Sequence, residues 1–176
     1  MLALTTALFA ATLALLGKIG FDVWGRHRDR RSIASAIAGE IEAYIELLNG
    51  PETSAGYRLL ATAGDRAGRI AMFRAVPNLP TSHPVFDKVA DKIGLLPIAE
   101  AYGISRIYNV VTGMRLLISG MSSQGFIDAS DHIQVHRMIF VSDTMEREVA
   151  AARALVARLK RVSRQNLWCW VGGCDP

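Results

Sequence analysis

Residues 16–32 read LGKIGFDVWGRHRDRRS, a stretch that joins an apolar N-terminal run to a strongly basic segment. A secretory signal peptide carries basic residues before its apolar run, whereas no Lys or Arg precedes Lys18 in this chain. The 23 residues from position 2 to position 24 would form a helix about 35 Å long, and the hydrocarbon core of a bilayer is about 30 Å thick. The stretch therefore predicts that residues 1–25 form a transmembrane anchor.

The charged residues around Trp24 predict where this anchor leaves the membrane. Lys18 and Asp22 lie one helical turn apart, near enough to its end for their charges to reach the headgroup region, and Trp24 suits the aromatic belt. By the positive-inside rule, the arginines that follow place the N-terminus outside and the rest of the chain in the cytoplasm. The residues predicted at this interface are Lys18, Asp22, Trp24, Arg26, Arg28, Arg30 and Arg31. The alternative, a core helix in a soluble protein, would need nearly every face of residues 2–16 to be buried.

A stripe of small residues runs along the predicted anchor at spacings of three and four. Its members are Ala3, Ala7, Ala10, Ala11, Ala14 and Gly17. Such a stripe allows a second transmembrane helix to approach closely. The competing explanation is that alanine is simply frequent in the lipid-exposed helices of an alanine-rich chain.

The composition of the chain predicts an all-α fold. Apolar residues make up 51 % and aromatic residues 7 %, and no period-2 alternation lasts more than a few positions. Residues 26–165 are therefore expected to form a small cytoplasmic helical bundle. Its first helix should cover residues 32–48, either continuing the anchor as one rod or bending at Gly25, and end at Asn49-Gly50-Pro51. A second helix is expected over residues 52–74.

Two later segments repeat apolar residues in alternating steps of three and four. The first has them at positions 104, 107, 111, 114, 118 and 121, and the second at 138, 141, 145, 149, 152, 156, 159 and 162. A turn around residues 122–130 separates the segments, so they should form a long antiparallel helical hairpin that packs against residues 33–48. Before the hairpin, residues 85–93 predict a short helix closed by Gly94, followed by an elbow of two leucines and Pro97.

The C-terminal residues 166–176 form a predicted aromatic tail. A basic group of Arg158, Lys160, Arg161 and Arg164 precedes the sequence LWCWVGG. Trp168 and Trp170 would suit headgroup depth at a membrane, with the basic residues on anionic lipid. A tail that packs back on the bundle, or one that docks on a protein partner, fits the same residues. Cys169 and Cys174 form a C-x4-C spacing with no nearby histidine, which is weak as a metal or redox motif.

The segment from Pro84 to Leu117, with its PVFD…ADKIGLLP core, resembles uncharacterised short proteobacterial inner-membrane proteins. These proteins have an N-terminal apolar helix, an arginine cluster, an Ala-rich helix and a KLGLLP-type elbow followed by a helix. The resemblance covers about two thirds of the chain and implies an anchored helical protein of the bacterial inner membrane, with no implied activity. This sequence departs from the pattern at Gly103 and in its Trp-Cys-Trp tail.

Motifs that carry chemistry are sparse. Asp128, Asp131, His132 and His136 form D-x-x-D-H-x-x-x-H, which places two histidines on one helical face as weak candidate metal ligands. The aspartates equally suit the start of a helix. The phosphate-binding and hydrolase signatures G-x-x-x-x-G-K-[ST], G-x-G-x-x-G and G-x-S-x-G do not occur. We therefore expect no catalytic residue and no cofactor.

Together these features predict a non-enzymatic, single-pass accessory or structural subunit. Its expected partners are a larger inner-membrane protein complex, such as a respiratory or photosynthetic one, and anionic lipid, not nucleic acid. One alternative is a self-associating membrane scaffold in which the apolar seams pair between copies. A second alternative is a metal-dependent membrane enzyme that uses His132 and His136.

Overall fold

The computed structural model describes residues 2–48, 54–74 and 82–166, with side chains for residues 9–47, 54–73 and 82–166. Within these ranges the chain is helical and contains no strand, so the all-α prediction is confirmed. The helices are α1 (Leu2–Leu48), α2 (Ser54–Ala63), α3 (Arg66–Arg74), α4 (Pro84–Val89), a 3₁₀ helix (Ala90–Leu95), α5 (Ile98–Met121), α6 (Gln124–Ile127) and α7 (Asp131–Arg164). The predicted helix end at Asn49-Gly50-Pro51, both cysteines, Trp168 and Trp170 lie outside the described residues.

Helix α1 is one continuous helix of 47 residues, so the chain does not bend at Gly25 and the predicted domain boundary between residues 25 and 26 falls inside a helix. Its two halves have different surroundings, because only the second half carries an apolar stripe on one face. The buried apolar residues of that stripe are Ile33, Ala34, Ile37, Ala38, Ile41, Tyr44 and Ile45. By contrast, the described side chains from Phe9 to Asp22 are all exposed.

Helix α7 is the helix on which the others pack. Its C-terminal half lies against α1, the 3₁₀ helix and the beginning of α5 in one apolar cluster. Its N-terminal half lies against α2, α3 and the end of α5 in a second cluster. The described residues therefore form a helical bundle in which α1 occupies one end of α7, and α2 with α3 occupies the other.

The predicted hairpin of α5 and α7 is confirmed. All eight apolar positions of the α7 seam are buried, and the α5 seam is buried except at the partly buried Val111. The two helices run antiparallel, since Gly103 near the start of α5 lies against Leu155 near the end of α7. A Cβ atom at Gly103 would lie 3.0 Å from Leu155 Cδ1, so the glycine permits a close approach of the helices.

The single helix predicted over residues 52–74 is wrong, because the described part of this segment forms two helices. Helix α2 ends before Gly64, and the carboxylate of Asp65 accepts a hydrogen bond from the Gly68 backbone N–H at 2.7 Å. This bond satisfies one of the free N–H groups in the first turn of α3. Asp65 thus starts a new helix where the sequence pattern alone predicted a weakened continuation.

Candidate functional site

The N-terminal half of α1 carries an extensive exposed apolar surface. Its exposed large side chains are those of Phe9, Leu13, Leu15, Leu16, Ile19, Phe21 and Trp24. Phe21 is 71 % exposed, and none of the described elements of the bundle covers this part of the helix. Surfaces of this kind usually mark contacts with a membrane or a protein partner.

The predicted transmembrane span over residues 1–25 is not confirmed. Of the helices in the described part of the chain, none is long and apolar enough to cross a membrane. Lys18 and Asp22 interrupt the apolar run before Trp24, and the first arginine follows at Arg26. The N-terminal half of α1 is therefore an exposed apolar half-helix, with charged residues near the end that joins the bundle.

Part of the predicted small-residue stripe is described. Ala10, Ala11, Ala14 and Gly17 are all exposed, and a Cβ atom at Gly17 would meet no atom within 4 Å. The side chains of Ala3 and Ala7 lie outside the described set. A second helix could therefore approach the stripe without displacing any described group.

Two of the four arginines predicted at the membrane interface contact the end of α7, one of them buried and the other, Arg31, exposed. Arg30 is buried, and its Nη2 donates a hydrogen bond to Gln165 Oε1 at 3.1 Å. Arg31 Nε donates to the backbone carbonyl of Ser163 at 2.6 Å. Arg30 shares a helical face with Ile33, which turns its side chain toward α7 rather than toward solvent. These contacts fix the end of α7 on α1.

The other two arginines lie beside the apolar half-helix. Arg26 and Arg28 are exposed, as are Lys18 and Asp22. The Arg28 guanidinium lies over the ring of Trp24, 5.2 Å from the ring centroid. This cation–π contact holds a positive charge next to an amphipathic aromatic side chain, an arrangement typical of a membrane interface.

A buried polar cluster between α1, α4 and α5 was missed in the sequence. Glu40 is 9 % exposed, and its carboxylate accepts hydrogen bonds from the backbone N–H groups of Val85 and Phe86, each at 3.0 Å. It also accepts a short hydrogen bond from the Tyr108 hydroxyl. His83 precedes α4 but gives that helix no side-chain cap. Glu40 therefore caps α4 from a different helix.

The ring of His83 extends the cluster. Its Nδ1 is 2.8 Å from the Tyr44 hydroxyl, and its Nε2 is 3.2 Å from Thr112 Oγ1. The Tyr108 ring packs on this imidazole with centroids 4.8 Å apart and on the Phe86 ring with centroids 4.1 Å apart. Hydrogen bonds and ring contacts thus join α1, α5 and the start of α4 at one point.

The tyrosines of the cluster are held in their protonated form. Burial, a hydrogen bond to Glu40 and the charge of that carboxylate raise the pKa of Tyr108. Burial and the same carboxylate raise the pKa of Tyr44 to about 12. Both oxygens of Glu40 and both ring nitrogens of His83 already have protein partners. The geometry therefore favours a structural junction rather than a site with a free base or nucleophile.

One feature of the sequence did indicate the cluster. Glu40 follows Ile37 by three residues and precedes Tyr44 by four, so it lies on the same helical face as the apolar stripe. A carboxylate at such a position is buried when the helix packs, and it then requires hydrogen-bond donors. Its partners Val85 and Tyr108 are 45 and 68 residues away and could not be identified from this pattern.

The histidine pair of α7 is exposed. The rings of His132 and His136 are nearly parallel, with centroids 6.3 Å apart and an interplanar angle of 7°. Asp131 forms an ion pair with Arg69 at 3.0 Å, and Asp128 accepts hydrogen bonds from the side chain of Gln124. Over the ranges with described residues, no group of three or more His, Cys, Asp or Glu side chains could hold a metal ion. The aspartates of the motif are thus engaged elsewhere.

Comparisons with protein-family models, with curated proteins and with solved structures find no match to this chain. The resemblance of its elbow segment to proteobacterial inner-membrane proteins therefore stays a prediction.

Proposed function

We propose that the chain is a non-enzymatic accessory subunit of a bacterial inner-membrane protein complex, attached to the membrane through the exposed N-terminal half of α1. The observation that carries the proposal is the continuity of α1. The same helix lies in the bundle core from Ile33 onward and exposes its apolar side chains before Trp24. A surface covered by lipid would then be rigidly connected to a bundle in water.

The distribution of the apolar side chains favours lipid over a single partner helix. At about 100° per residue, the large apolar residues from Phe9 to Trp24 occupy an arc of about 240°, bounded by Leu15 and Phe21. The apolar stripe of a helix that packs on a protein surface is narrower, often about 100° wide. Lipid can cover the whole of such a broad apolar surface, whereas a single partner helix covers only part of it.

The energetics support the same choice. Complete burial of one large apolar side chain contributes about 1.5–3 kcal/mol, so the partly exposed set on α1 would contribute on the order of 10 kcal/mol in lipid. Arg26 and Arg28 would each add about 1 kcal/mol at an anionic membrane surface. The predicted placement of the N-terminus outside would require α1 to cross the membrane, and no described helix is long and apolar enough to do so, so the proposal is attachment at the membrane surface.

A second candidate function is a self-associating membrane scaffold. Ala10, Ala14 and Gly17 are exposed at spacings of four and three, which favours close contact with another helix in the membrane. That helix could come either from a second copy of the chain or from a larger complex. The nature of the partner separates the two candidates.

Affinity purification of the tagged chain from membranes in mild detergent, followed by mass spectrometry, tests the proposal. We expect integral membrane proteins to co-purify in a fixed ratio. Ala14→Leu with Gly17→Leu should reduce their recovery, while Ala36→Leu with Ala43→Leu, at exposed positions in the bundle half of α1, should not. Recovery of homo-oligomers alone would favour the scaffold, and recovery of the monomer alone would contradict both candidates.

A further inference from the structure

An open pocket lies where α1 leaves the bundle, beside the last turn of α7. Its volume is about 430 Å³. On the α1 side it is lined by Trp24, His27, Arg28, Arg31, Ser32 and Ser35. The pocket therefore begins at the residue where the exposed apolar surface ends, and it continues into the basic segment.

The groups that line the pocket select for an anion. Two guanidinium groups, an imidazole and three serine hydroxyls line the pocket, the hydroxyl of Ser163 donating to the Lys160 carbonyl, and no carboxylate occurs among its described lining residues. Arg31 is fixed by the bond from its Nε to the Ser163 carbonyl, which leaves its terminal amino groups for a ligand. Arg28 is held over the ring of Trp24.

The arginines of this segment also act on His27. Burial, followed by the charges of Arg31 and Arg30, lowers the pKa of His27 from its usual value. A bound anion would offset the repulsion between these cationic groups. Planar guanidinium groups also match phosphate oxygens in geometry, because they can form two parallel hydrogen bonds.

We propose that this pocket binds the phosphate group of an anionic phospholipid. The inference rests on the proposed membrane attachment, which places Trp24 and hence the pocket at headgroup depth. Free phosphate offers the same charge to the arginines, but a lipid also has acyl chains that can lie along the apolar side chains preceding Trp24. The adjacent apolar surface therefore favours lipid as the source of the phosphate.

Isothermal titration calorimetry on the full-length chain in a mild nonionic detergent tests the pocket. The probes are dihexanoyl phosphatidylglycerol, dihexanoyl phosphatidylcholine and inorganic phosphate. We expect the anionic lipid to bind at least about tenfold more tightly than either of the others. Arg28→Gln with Arg31→Gln should weaken its binding by about 25-fold, about fivefold for each arginine. Arg153→Gln, which changes an exposed arginine of α7 outside the pocket, should leave it unchanged.

A second pair of variants controls for folding and for overall charge. Ser35→Asp places a carboxylate in the pocket and should abolish lipid binding, whereas Ala36→Asp adds the same charge one position further along and should retain it. Circular dichroism checks that both variants keep their helix content. Equal binding by these variants, or equal affinity for the zwitterionic lipid, would overturn the proposal.

The outcome for the pocket can be separated from the outcome for membrane attachment. Inorganic phosphate that binds as tightly as the anionic lipid would assign the pocket to a free anion and overturn the lipid proposal. If the wild-type chain stays in the membrane fraction but the pocket variants bind lipid as tightly as the wild type, only the pocket proposal is contradicted. A wild-type chain found in the soluble fraction would instead contradict the attachment.

Discussion

Replacement of Glu40 by alanine should strongly destabilise the bundle, because this carboxylate satisfies donors from two other helices. The substitution removes the cap of α4, which contributes about 0.5–2 kcal/mol. It also leaves the buried Tyr108 hydroxyl without its acceptor, at about 1–3 kcal/mol. The free energy of unfolding should therefore fall by about 2–5 kcal/mol.

Thermal unfolding of the purified chain in mild detergent, followed by far-ultraviolet circular dichroism, measures this effect. For a domain of this size, 1 kcal/mol corresponds to about 2–4 °C, so the Tm of the Glu40→Ala variant should fall by about 4–20 °C. Tyr108→Phe removes only one of the three donors and should cause a smaller decrease. The order of the two effects follows from how many hydrogen bonds each substitution breaks.

Glu42→Ala provides the matched control, two residues further along α1. Glu42 is partly exposed and pairs with Lys160, and ion pairs of this kind contribute about 0–1 kcal/mol. Its replacement should lower the Tm by only a few degrees at most. If Glu40→Ala and Glu42→Ala had equal effects, the junction assigned to Glu40 would be refuted.

Two further predictions concern pH and helix packing. Burial and the neighbouring arginines lower the pKa of His27 in the folded chain. The contribution of His27 to the free energy of unfolding is therefore complete above pH 6.5 and is lost as the pH falls. Urea unfolding at about pH 7.5 and 5.5 should show a smaller pH effect in His27→Gln than in the wild type, and an equal effect would contradict this assignment. Gly103→Ala should cost about 1–3 kcal/mol against Leu155, offset only in part by the helix-propensity gain of about 0.5–1 kcal/mol, while Gly113→Ala, with open space at its Cβ position, should show that gain alone. Stabilisation by both alanines, measured by urea unfolding, would contradict the close approach at Gly103.

The sequence predicted those parts of the fold that depend on local periodicity. The apolar seams of α5 and α7 could be predicted because a helix that packs on one side must repeat its apolar residues every three or four positions. The stripe of α1 was found for the same reason. Breaks were harder to locate: Gly64 was recognised as weakening a helix, but the cap from Asp65 that divides the segment was not.

The missed residues depend on tertiary contacts. The arginine cluster predicts Arg30 at a membrane surface, yet its partner Gln165 lies 135 residues away in the sequence and the hydrogen bond between them holds Arg30 against the bundle. The sequence pattern does not predict the partners of Glu40 for a similar reason, because its hydrogen-bond donors come from α4 and α5. A charged residue on an apolar helical face is the signal that identifies both positions.

Flotation of cell membranes on a density gradient tests most directly whether the exposed half of α1 attaches the bundle to a membrane. The measurement compares Leu15→Asp/Leu16→Asp with Leu59→Asp/Leu116→Asp, in which the replaced leucines of the bundle have similar exposure, about 60 % in each case. Each aspartate in lipid costs about 3 kcal/mol or more relative to leucine. We predict that the wild-type chain and the bundle variant float with the membranes, while the α1 variant is shifted to the soluble fraction. Equal distribution of the two variants would contradict this attachment.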